Sequence, residues 1–238
     1  MTLTLDAQRQ AVRALLNEFD AADALASYYA LHHDPGRSEL FSHHDDEGRL
    51  MAFLARCQTG FDLFRPVVTL RVRGAEVPEG LLRKGLVPER PYLLIVPEVL
   101  AEKLKAHLAL TDVTLNRVLR LDPARYEPLI NVMVEERQDS QGSPRCEIRR
   151  GERVLALAGV NWRSPHFAEM YVTVGEASRG RGFGRAVVSA CVAALLKMQV
   201  TPLYVVAEHN VPSLELARRV GFVDTGAREI VAQAVLRG

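Results

Sequence analysis

Hydrophobic and polar positions change period several times along this chain, and each change marks an element. From Asp6 to about His33 the apolar residues recur at helical spacing, until DPG at 34–36 breaks the run. ELFSHH and RLMAFLARC then read as two strands around a DDEG turn, and RPVVTLRV as a third. EVPEGLLRKG reads as a short helix and PYLLIV as a buried strand. EVLAEKLKAHLAL follows as a helix with acidic residues early and basic residues late, as the helix dipole favours.

The second half runs through the same order. TDVTLNRVLRL is strand-like, and PARYEPLINVMVEER, opening on Pro123 after Asp122, reads as a helix. RCEIR and RVLALAGVNW form a second hairpin around RGE. FAEMYVTV is a strand, the glycine-rich stretch opens a long helix, TPLYVVAE is a strand and VPSLELARRV a helix. FVDTGAREIVAQAVL closes the chain as one or two strands. Hairpin, strand, helix, strand, helix thus occurs twice, which predicts two α/β domains, 1–110 and 111–238. Two explanations stay open, an internal duplication or an order that α/β domains often share.

Composition narrows the setting. The 238 residues carry a formal charge of +1, too balanced for a nucleic-acid or anionic-membrane footprint. No apolar run reaches the roughly 18 residues of a membrane span. MTLTLDAQRQ lacks the pattern of a secretion signal. Cys57, Cys146 and Cys191 are odd in number and scattered in apolar contexts, which predicts buried free thiols and a reducing cytoplasm.

The candidate chemistry centres on ASRGRGFGRAVVSACVAALLKM, residues 177–198. A helix start leaves about four N–H groups unpaired and carries partial positive charge, which suits a phosphate. Gly180, Gly182 and Gly184 would let an anion approach those amides, and Arg179, Arg181 and Arg185 would add charge. A dinucleotide G-x-G-x-x-G fails, because the third position is Arg185 or Val187 according to the starting glycine. A P-loop fails for want of G-K-[ST]. What remains is R-x-x-G-x-G, filled by Arg179, Gly182 and Gly184, against a plain glycine turn with no ligand.

This stretch has company. RGRGFGRAVV, including Phe183, resembles the coenzyme A pyrophosphate loop and helix of the GNAT superfamily of acetyl-CoA-dependent N-acetyltransferases. NVPSLELARRVGF, 210–222, resembles its second motif, and FAEMYVTV its central strand. The resemblance implies a GNAT (acyl-CoA N-acyltransferase) α/β fold with a mixed, splayed sheet over 111–238. A smaller α/β domain precedes it, whose RGAEVPEG lacks the glycine cradle, so that if it is a second copy of the fold it is a degenerate one. It also implies acetyl-CoA as co-substrate, with Val172, Thr173 and Val174 meeting the pantetheine arm and Asn210 and Ser213 on the coenzyme. No metal is implied. The acceptor would be a small-molecule or peptide amine.

N-acetyl transfer needs a base for the amine, and Glu169 is the candidate. Alternation puts Glu169, Tyr171 and Thr173 on one strand face, and a carboxylate amid Phe167, Ala168 and Met170 is costly unless partnered or used. A glutamate in the same Phe-Ala-Glu context is the base in the family's histone-acetylating branch, against the alternative of a salt-bridged structural carboxylate. The tyrosine that many members carry seven residues after the motif asparagine is here Ala217, which leaves the acid unassigned. That gap keeps open a catalytically inactive, coenzyme A-binding or regulatory module. HHDDEG reads as a polar turn, because adjacent strand histidines face opposite ways. Trp162, Arg163 and His166 are expected in a loop before the central strand, within reach of an acceptor.

Overall fold

The computed structural model describes residues 4–60, 62–74 and 76–238. Two compact units emerge, one of residues 1–116 with 228–238, the other of 117–227. A cut at residue 110 is therefore not where the compact units divide, because the chain's last eleven residues return to the first unit.

In the first unit, α1 (Leu5–Val12) and α2 (Ala24–Ser27) precede β1 (Ser38–His44), β2 (Leu50–Cys57) and β3 (Val67–Val72). Then come α3 (Glu79–Gly85), β4 (Pro91–Pro97), α4 (Glu98–Lys105) and β5 (Leu108–Leu121), which runs on into the second unit. The single opening helix expected over 6–33 is broken. Asn17, Asp20 and Asp23 side chains capture the amides of Phe19, Ala22 and Asn17, an alternative to helical bonding that short polar side chains offer. The strand order is β1-β2-β3-β4, followed by β11 (Phe222–Leu236). β11 pairs antiparallel with β4 from Glu229↔Pro97 to Val235↔Pro91. Its Ile230, Ala232, Ala234 and Leu236 sit in a core with Leu54, Leu70, Leu82 and Leu94.

The second unit orders its strands β5-β10-β9-β8-β7-β6, with β6 Val134–Gln138, β7 Pro144–Arg150, β8 Arg153–Arg163, β9 Phe167–Val174 and β10 Thr201–Ala207. β9 and β10 run parallel, and the other neighbours of β9 and β7 are antiparallel. α5 (Phe183–Lys197) and α6 (Val211–Val220) complete it. Val187, Val188, Cys191, Val192 and Leu195 lie wholly buried along one side of α5, as their helical spacing requires. They pack on Ala168 and Met170 of β9 and Ala158 of β8.

The helix expected over 123–137 does not form. Pro128 falls in its interior, where it would remove one backbone hydrogen bond and clash with the preceding turn. Instead 122–133 crosses irregularly, with the Tyr126 hydroxyl donating to the Ser189 carbonyl and the Leu129 amide to Ser189 Oγ, each at 2.9 Å. All three cysteines are free and buried, and burial pushes the Cys57 thiol up to about 11. Among the described residues, no helix is long and apolar enough to cross a membrane.

Candidate functional site

The site lies in the second unit and is organised by a fork. The β9–β10 register runs from Phe167↔Thr201 to Met170↔Tyr204 and stops, so the two strands part just before Tyr171. Beyond the fork a cleft of about 720 Å³ opens along the start of α5 and one side of α6.

The start of α5 leaves its first amides without a side-chain cap. Its N-cap is Gly182, with φ 77°. Gly180 also has positive φ, and a Cβ at either position would meet nothing within 4 Å. Both sites demand glycine for their backbone angles, and the space before the first helical amides stays open. Val174, Arg179, Gly180, Gly182, Phe183, Gly184, Arg185, Asn210 and Ser213 all line the cleft. Val172, Thr173 and Arg181 do not. Thr173 points to the opposite face with Glu169, and the Arg181 guanidinium lies 5.0 Å from the centre of the Phe183 ring. Phe183 itself is largely a core residue.

Gly184 serves a different purpose from the other two glycines. A Cβ there would sit 3.1 Å from Val174 Cγ2 and 3.4 Å from Leu216 Cδ2, so the glycine permits close packing. Gly184→Val should therefore destabilise the unit by about 1–3 kcal/mol through overpacking. A thermal melt matching that of the unaltered protein would refute this.

The cleft also contains residues the sequence did not single out. Glu215, Leu216 and Arg219 line it from α6. Glu215 and Leu216 follow Pro212 by three and four residues, and Arg219 follows them by four and three, a spacing that puts all three on one helix face. Asn210 caps α6, its side chain accepting from the Ser213 amide at 3.2 Å. Glu208, just after β10, forms an ion pair with Arg117.

Glu169 stands at the fork, one residue before the last paired position of β9. Ala168 and Met170 belong to the core beneath α5, so Glu169 leaves the sheet on the other face. Two donors meet it there: Asn161 Nδ2 reaches Oε1 and Trp162 Nε1 reaches Oε2, both at 2.7 Å. Adjacent strand residues normally point to opposite faces. Here the β8–β9 register slips between Val160 and Trp162, and the resulting bulge at Asn161 turns both side chains onto one carboxylate. Trp162 and Arg163 thus belong to β8 rather than to a loop, and only Trp162 is directed at Glu169. Burial raises the Glu169 pKa, and the two hydrogen bonds oppose that rise without cancelling it.

Trp162→Phe should push the value further up, because one bond to the ionised form is lost. The arm of a pH–rate profile that reports Glu169 ionisation would then move to higher pH. An unmoved arm would show that the bond has no hold on the carboxylate.

The HHDDEG stretch forms the end of β1 and a turn in which Asp45 accepts from Arg49.

Residues 116–222 match the Acetyltransferase (GNAT) family. No curated protein matches the chain by sequence. Several solved structures resemble it over nearly its whole length, three of them as follows. A GCN5-related N-acetyltransferase-like protein from Streptococcus suis is 13% identical, with 96% of this chain and 99% of that one covered and a TM-score of 0.64. A GCN5-related N-acetyltransferase from Sphaerobacter thermophilus is also 13% identical, covering 100% and 95%, with a TM-score of 0.63. A tandem GNAT protein from the clavulanic acid biosynthesis pathway is 14% identical, covering 98% and 94%, with a TM-score of 0.58. At these identities the likeness is one of fold.

Proposed function

Since residues 116–222 form a domain of the GNAT acetyltransferase family, we propose that this protein transfers an acetyl group from acetyl-CoA to a primary amine by direct attack in a ternary complex. The observation that carries the reading is the juxtaposition at the fork. An uncapped, glycine-bounded helix start opens onto one side, and a carboxylate with a raised pKa stands on the other.

The amides at the start of α5, with Arg179 and Arg185, would hold the pyrophosphate. The edge of β9 from Tyr171 to Val174, unpaired on its β10 side, would meet the pantetheine amides, as the backbone of 172–174 was expected to do. Bound there, acetyl-CoA supplies an activated acyl group. A lysine-like amine has a pKa of about 10.4 and is mostly protonated at neutral pH. Glu169 takes its proton, either directly or through one water.

A second reading is a coenzyme-binding module without catalysis. It is favoured by Ala217, fully buried where a hydroxyl donor would stand. The repeated element order, with a second short parallel pairing at Val67↔Leu93 and Val68↔Leu94, supports a first unit that is a degenerate copy of the same fold. The free, buried thiols fit a reducing compartment such as the cytoplasm.

Calorimetry with acetyl-CoA tests the cradle. Gly182→Val should abolish the binding heat while circular dichroism stays native, because the strain of a side chain at that φ is only about 1–2 kcal/mol. Undiminished affinity would remove the phosphate role. A thiol-release assay against a panel of amines separates turnover from binding alone.

A further inference from the structure

Two hydroxyls at the fork take no part in the proton removal described above. Tyr204 is the last β10 residue paired with β9, opposite Met170, and its side chain is buried with its ring against Phe222. Its hydroxyl lies 2.8 Å from Ser213 Oγ. Ser213 lines the cleft, and Asn210 fixes its backbone amide. The register sets Leu203 level with Glu169 and Tyr204 level with Met170. Tyr204 therefore leaves the sheet on the α5 side, and Glu169 leaves it on the other. The fork has a proton acceptor on one face and a hydroxyl pair on the other.

We propose that Ser213 stabilises the thioester sulfur as it departs, by donating a hydrogen bond to it, with Tyr204 as the residue that positions Ser213. The proposal rests on the acyl-transfer reading. Among the described residues, the Tyr204 hydroxyl has Ser213 as its one hydrogen-bond partner. Donating to Ser213 Oγ satisfies Tyr204 and leaves the serine proton free to turn toward the cleft. Attack forms the N–C bond and breaks the C–S bond, whose electron pair goes to sulfur. Glu169, once it has passed the ammonium proton to solvent, takes the second amine proton released on attack, and the thiolate is protonated by solvent.

Neither hydroxyl gives up its proton outright. Burial pushes the Tyr204 pKa up, and the hydrogen bond shared with Ser213 only partly opposes this, so a transferred proton would leave a buried tyrosinate. The pair supplies hydrogen bonding instead. A bond to an anion is roughly twice as strong as one to a neutral acceptor, so it favours the charged sulfur of the transition state over the thioester.

The test needs no acceptor. Coenzyme A itself is bound to the full chain, and its thiol is titrated by the ultraviolet absorbance of the thiolate. In S213A the bound thiol should titrate about one pH unit higher than in the unaltered protein, a tenfold loss of thiolate stabilisation from one hydrogen bond. Y204F should produce part of that shift, and S213T, which restores a hydroxyl, should reverse it. If S213A fails to fold, Y204F and S213T carry the comparison. Identical thiol titration in all variants would overturn the proposal while leaving acyl transfer intact. Failure of the unaltered protein to bind coenzyme A by calorimetry would sink both.

Discussion

Glu169→Gln should lower turnover by about a hundredfold or more, the usual contribution of a general base, while coenzyme binding persists. The variant isolates the proton function because the fold can absorb it. Both Glu169 oxygens accept hydrogen bonds, from Asn161 and from Trp162. A glutamine oxygen can still accept from Trp162, and its amide can donate to Asn161 once that side chain flips. The pH dependence carries the sharper signature. Burial holds Glu169 above the ordinary carboxylate range, so activity in the unaltered protein should rise as pH passes upward through that raised value. The variant should lack this step, and its deficit should shrink at high pH, where more of the amine is already neutral. Stability follows the same linkage. A raised carboxylate stabilises the fold below its unfolded value and loses that contribution as pH rises through its folded value. The glutamine variant should therefore be no less stable than the parent at neutral pH. Steady-state rates on a responsive amine across pH 6–10 provide the check, and full activity throughout would make Glu169 a structural carboxylate.

Much of this site is legible in the residues because its signals are local. Alternation along FAEMYVTV places Glu169 opposite the core, and helical spacing after Gly184 identifies the buried side of α5. What local patterns cannot carry is register. The bulge at Asn161 exists only in the pairing of β8 with β9, so nothing in RVLALAGVNWR says that Asn161 and Trp162 share a target. The bond between Tyr204 and Ser213 likewise joins two elements whose alignment is tertiary. Local reading also fails where apolar residues are not buried. Ile130 and Val132 are 91% and 97% exposed, so the segment 123–137, expected as a helix from Pro123 after Asp122, has no buried apolar face at these positions. Pro128 was the contrary signal. The closing strand shows a further limit: alternation marks FVDTGAREIVAQAVL as a strand but not which compact unit takes each part.

That last strand yields the second large effect. A chain stopping after Ala227 should lose the folded first unit. Residues 228–236 supply its strand beside β4, with seven paired positions. They also place Ile230 and Leu236, 7% and 4% exposed, in its core. Burying each such side chain contributes about 1.5–3 kcal/mol. Together with the lost ladder, the deficit approaches the roughly 5–15 kcal/mol that holds an ordinary domain folded. The truncation would also bare β4 as an edge rich in apolar residues, a template for aggregation. The fragment 111–238 has the converse defect, since it carries residues 228–236 without β4. Each should be poorly soluble or lack part of the cooperative melt. A synthetic peptide spanning 226–238, added during refolding of the shortened chain, should recover part of the lost signal by occupying the vacant place beside β4. A shortened chain that melts like the full one would show that the returning strand is dispensable, and that the first unit is held by residues 4–116 alone.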